Sequence, residues 1–129
     1  MADYTLVNLE DVEDSAPKYG MAGIEARFAR QALELQNSGV SLQRLEPGFR
    51  APFGHTHKEQ EELYVLLRGS ARVKLDDEIL ELRQWDAIRV PGATMRAFEA
   101  GPDGAELLAF GAPHHGGNDA ELTPGWWTD

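Results

Sequence analysis

At 129 residues with 42% hydrophobic content, the chain can bury one real core and is too short for two. A formal net charge of −10 leaves no basic stripe to neutralise phosphates, so neither nucleic acid nor an anionic membrane surface is an expected partner. The absence of cysteine excludes disulfides, thiolate metal sites and a cysteine nucleophile.

The chain opens without a basic segment leading into an apolar run and nowhere strings together about eighteen apolar residues, so the expected location is the cytoplasm. Thr5 to Leu9 and Ile24 to Arg30 read as two N-terminal strands joined by a polar loop. Ile24 to Gln36 also satisfies a helix, being rich in Ala, Glu, Leu, Arg and Gln with no proline. From Val40 to Phe110 short apolar–polar alternations predict an all-β sandwich or barrel. The predicted strands are Val40 to Leu45, His55 to His57, Leu63 to Leu67, Ala71 to Leu75, Ile79 to Leu82, Ala87 to Val90, Arg96 to Glu99 and Ala105 to Phe110. Turn residues separate them at Glu46-Pro47-Gly48, Arg68-Gly69, Asp76-Asp77, Gln84-Trp85-Asp86, Pro91-Gly92 and Gly101-Pro102-Asp103-Gly104. Residues 111–129 read as a Gly- and Pro-rich tail ending in Trp126 and Trp127, which are expected to dock it on the barrel or on a neighbouring subunit. One domain over 1–129 with its core in 40–110 is the expectation.

The stretch Phe53 to Gly69, FGHTHKEQEELYVLLRG, carries the densest chemistry. In a strand, residues two apart share a face, so His55 and His57 point together. A carboxylate from the next strand, Glu61 or Glu62, can complete a two-His, one-carboxylate set for Fe(II), Mn(II), Zn(II) or Ni(II) with positions left for water or substrate. The plainer reading is a polar strand edge among Lys58, Glu59, Glu61 and Glu62.

The longer context favours the metal set. Gly48, His55, His57, Glu62 and Gly69 resemble the first signature of the cupin family, Gly-x5-His-x-His-x3-4-Glu-x6-Gly, with one extra residue between Gly48 and His55. Trp85 to Ala100 resembles the second, Gly-x5-Pro-x-Gly-x2-His-x3-Asn, in a frame that keeps Pro91. That frame puts Trp85 and Ala93 at the two glycines, Arg96 at the fourth-ligand histidine and Ala100 at the asparagine. The resemblance implies a double-stranded β-helix, a jelly-roll barrel of the cupin type, with His55, His57 and Glu62 as ligands of a divalent transition metal.

Arginine is a permanent cation and cannot replace imidazole as a ligand. Two states of Arg96 follow, swung aside to clamp an anionic group of a substrate or paired with Glu62 in place of the metal; the plainer reading is a side chain pointing to solvent with its stem over apolar surface. Tyr64 should share the inner face with Glu62, and Gln60 lies in the preceding turn within reach of a pocket mouth; both are candidate substrate contacts beside Arg96, with core tyrosine and surface turn residue as the plainer readings. Leu63, Val65 and Leu67 alternate with Glu62, Tyr64 and Leu66, which predicts a second layer over this strand, from the N-terminal strand or a homodimer partner. His114-His115 has no expected role. Function divides into a metal-dependent enzyme acting on a small, anionic or carbonyl-bearing molecule, for which the cupin resemblance implies an oxygenase, isomerase or decarboxylase class without choosing among them, and a metal-free small-molecule-binding or sensing module in which Arg96 is paired with Glu62.

Overall fold

The computed structural model describes residues 1–129. Eight strands form one antiparallel sheet that curls on itself: β1 (Ile24–Phe28), β2 (Gly39–Leu45), β3 (Phe53–His57), β4 (Glu61–Leu75), β5 (Glu78–Leu82), β6 (Ala87–Val90), β7 (Arg96–Ala112) and β8 (Ala120–Pro124). One helical turn, α1 (Arg30–Leu33), links β1 to β2. No helix is long and apolar enough to cross a membrane.

Curling follows from the two long strands. The first half of β4 pairs with the second half of β7, from Glu61↔Ala112 to Gly69↔Ala105, and the second half of β4 pairs with the first half of β7, from Ala71↔Ala100 to Leu75↔Arg96. On its other edge β7 takes β2 along Gly39 to Leu45 and touches β3 at His55↔Arg96. The register shift between Gly69 and Ala71 folds residues 101–104 out of the ladder, and bulges of this kind bend a sheet. Gly69 sits there at φ +82, and a Cβ on it would lie 2.0 Å from the Gly104 carbonyl oxygen, so only glycine permits the approach.

Several expected boundaries change. Leu63–Leu67 and Ala71–Leu75 are one strand, as are Arg96–Glu99 and Ala105–Phe110, because each is carried across its glycines by the other's ladder. Thr5–Leu9 is not a strand: Leu6 is 88% exposed, and the segment ends in a 3-10 turn at Leu9–Asp11 capped by Asn8. Ile24 to Arg30 is strand only to Phe28, after which the helix-favouring residues make just the one turn. The tail contains β8, which pairs with all of β3.

Alternation sorts the faces of β4. Tyr64 and Leu66 point inward at 3% and 0% exposure, while Leu63 on the outer face is 40% exposed, so no second layer from this chain covers it. The core gathers Leu45, Tyr64, Leu66, Val73, Leu82, Val90, Phe98 and Leu107 with small alanines at 71, 100, 105 and 109. The Asp76-Asp77 hairpin joins β4 to β5, and Asp76 exchanges hydrogen bonds with Met95, which anchors the start of β7 beside Arg96.

Candidate metal centre

His55 and His57 share the inner face of β3, with ring centroids 5.1 Å apart and planes 83° from parallel. Glu62 enters from the first turn of the β4 ladder, where it pairs with Val90 and Gly111. One nitrogen of each imidazole and a carboxylate oxygen lie within 4.8 Å of one another, so the three residues expected to converge do so.

All the contacts of Glu62 fall on one oxygen, Oε1. His55 Nε2 is 3.3 Å away, His57 Nε2 3.2 Å, Arg96 Nη1 donates at 2.6 Å, and the Tyr64 hydroxyl donates to it as well. Burial opposes charge on Glu62, but the contacts of His55 and the Tyr64 hydroxyl prevail and hold its pKa well below the usual carboxylate range. Burial and the Glu62 charge push the Tyr64 phenol well above its ordinary value, so Tyr64 keeps its proton and serves as a donor.

Arg96 stands directly across from His55 in the β3–β7 pairing and has no exposure. Besides Glu62, its guanidinium donates from Nε to the Thr94 carbonyl at 3.0 Å and from Nη2 to the Pro91 carbonyl at 2.6 Å. This is the paired one of its two expected states, the one expected in place of a metal, yet the pairing leaves Glu62 Oε1 beside both imidazoles, 3.3 and 3.2 Å away; all three guanidinium nitrogens are engaged with the protein. Trp85, at the position where the cupin pattern has glycine, adopts φ +75. A left-handed backbone is one that favours glycine, so the conformation agrees with the frame that sets Trp85 against the pattern's glycine.

Gln60 is not a surface turn residue. It is 5% exposed, and its side chain fills the space over Gly111, where a Cβ would lie 2.0 Å from Gln60 Oε1. Trp126 packs over Gly54 on the side of β3 away from the histidines, and Trp127, 5% exposed, lies against the guanidinium of Arg50 at 4.5 Å from its ring centroid. The tail therefore docks on its own chain.

The fit of a metal can be tested on the donors themselves. Donors held about 2.1 Å from a common ion are separated by about 3.0 Å at octahedral and about 3.4 Å at tetrahedral angles, and Glu62 Oε1 lies 3.3 and 3.2 Å from the two imidazole nitrogens. His57 Nε2 is also fully buried and makes no hydrogen bond; it is near Glu62 Oε1 but not aligned with it. A buried polar atom without a hydrogen bond is costly, and an ion lodged between it and the neighbouring carboxylate would partner both. On these two separations the residues fit the group, with all three donor atoms within 4.8 Å of one another.

One contributor lay outside the sequence reading. Asp119, just before β8, places Oδ1 2.7 Å from His57 Nδ1 and accepts the backbone N–H groups of Glu59 and Gln60 on Oδ2, each at 3.0 Å. Sixty-two residues from His57 and set in a Gly- and Pro-rich tail, it carries no local signal of a site.

No protein-family model and no curated protein matches this chain. Solved structures do. A cupin protein from Bacteroides fragilis is 24% identical with a TM-score of 0.73, covering 92% of this chain and 91% of its own. A cupin-superfamily sugar phosphate isomerase from Silicibacter pomeroyi is 19% identical, with a TM-score of 0.70 and 92% of each chain covered. Oxalate decarboxylase from Bacillus subtilis is 22% identical with a TM-score of 0.77; the match takes in 94% of this chain but only 33% of the decarboxylase. The chain has the cupin fold, and it carries a His55, His57, Glu62 cluster on that fold's inner face that could bind a metal.

Proposed function

We propose that this protein is a metal-binding cupin acting on a small molecule, with the ion held by His55, His57 and Glu62. The observation that carries the reading is the buried His57 Nε2, 3.2 Å from Glu62 Oε1 and without a hydrogen bond. A divalent ion bound there would supply a Lewis acid for a carbonyl, enolate or diol oxygen. Oxalate and sugar phosphates, the substrates named for two of the structural neighbours, both present adjacent oxygen atoms, and a molecule with vicinal oxygens is the substrate class proposed here.

The remaining side chains prepare the donors. Arg96 offsets the charge of Glu62 and fixes the rotamer of its carboxylate, while Tyr64 donates to the same oxygen, and such outer partners orient and tune a ligand. His55, its side chain 23% exposed, is the most open of the three ligands and marks the side from which substrate enters. In this reading Arg96 serves Glu62 and does not clamp a substrate anion.

A second reading is supported by the 2.6 Å contact of Arg96 with Glu62: a metal-free binding or sensing cupin whose pocket charge is neutralised by the guanidinium. Elemental analysis of protein purified without added metal separates the two. Stoichiometric metal in the wild type, lost in the His55→Ala, His57→Ala variant, supports the metal centre; absence of metal from both supports the second reading.

A further inference from the structure

We propose that Asp119 is a positioning residue that holds His57 in the tautomer with the proton on Nδ1, leaving Nε2 as the free donor of the centre. Its consequence for metal binding rests on the reading above; the tautomer itself does not.

The geometry is explicit. Asp119 Oδ1 lies 2.7 Å from His57 Nδ1, and the aspartate is itself immobilised by two backbone N–H groups on Oδ2 and by the Lys58 N–H on its carbonyl oxygen. The two backbone N–H groups occupy Oδ2 and leave Oδ1 to accept from the imidazole. The atom facing it must therefore be an N–H, and in the neutral ring the lone pair falls on Nε2. That is the atom found buried without a hydrogen bond on the Glu62 side. Because β8 pairs with β3 from Phe53↔Pro124 to His57↔Ala120, the tail delivers this carboxylate in fixed register with the histidines. His55 shows no such partner, so the two imidazoles are not equivalent: one is oriented by the tail and the other is not.

Two readouts test this on full-length protein. In the metal-free wild type in alkaline buffer, the nitrogen chemical shifts of His57 should report the Nδ1–H tautomer. In Asp119→Ala the population should move toward Nε2–H. In Asp119→Asn, which keeps an oxygen for the Glu59 and Gln60 N–H groups but removes the charge, titration with Zn(II) should show affinity reduced about 10- to 100-fold, with little change in the urea midpoint. An unchanged tautomer in Asp119→Ala, or wild-type Zn(II) affinity in Asp119→Asn, overturns the proposal and makes Asp119 only a brace for the β3–β4 turn. A wild type that takes no Zn(II) defeats the metal reading instead, and the tautomer then decides the role of Asp119 alone.

Discussion

At the scale of single residues the centre is organised around one atom. Glu62 Oε1 receives Arg96 and Tyr64 and faces both imidazoles, and Arg96 is the only one of these with no exposure at all. Replacing Arg96 by methionine keeps the bulk but leaves Glu62 without its cation and the Thr94 and Pro91 carbonyls without donors. Removal of one partner of a buried pair costs about 3 kcal/mol or more; urea denaturation of Arg96→Met should show a loss of that order, and a loss below about 1 kcal/mol would contradict the buried pair. Trp85 offers the opposite case. It holds φ +75 with 68% of its surface exposed, so Trp85→Gly relieves a left-handed backbone and gives up little packing. Against the added freedom of the unfolded chain, a net gain on the order of 0.5–1 kcal/mol is expected from the same measurement.

At the scale of elements, the short alternating runs were readable because β4 and much of β7 bury alternate residues, and the His-x-His spacing because residues two apart on a strand share a face. Strand ends were less readable. Gly69 and the Gly101–Gly104 stretch look like turn residues, yet they serve a bulge in which two strands continue past each other. Such a use of glycine depends on the partner strand, which local sequence does not contain. Gly69→Ala tests it: a Cβ placed 2.0 Å from a carbonyl oxygen at positive φ should cost about 2 kcal/mol or more in urea denaturation, whereas an interchangeable turn glycine would cost less than about 1. β8 was missed because Ala120–Pro124 is largely exposed and pairs only with β3, so no alternation marks it. Missing β8 also concealed Asp119.

For the molecule as a whole, an all-β sandwich or barrel followed from alternation, the jelly-roll class and the choice of His55, His57 and Glu62 followed from the resemblance to the cupin signatures, and the state of Arg96 became clear only from its contact with Glu62. The C-terminal residues close the structure through charge. Glu99 binds Arg50 at 2.7 Å and Arg72 at 2.6 Å, and both cations flank Trp127. Burial opposes charge on Glu99, but the two arginines prevail and lower its pKa. A group whose pKa is lower folded than unfolded stabilises above the unfolded value, about 4.3 for glutamate, and that stability is lost as pH falls through the folded value. The urea midpoint of the wild type should therefore drop between roughly pH 5 and 3 by more than that of Glu99→Gln; equal drops would show that this cluster contributes nothing to acid sensitivity.

The central claim is that one ion is shared by the imidazoles of His55 and His57 and the carboxylate of Glu62, and a crystal grown with Mn(II) tests it most directly through anomalous scattering. The account predicts a single strong peak between His55 Nε2, His57 Nε2 and Glu62, with Asp119 still on His57 Nδ1. A map without a peak there, with Arg96 and Glu62 filling the space, would contradict it.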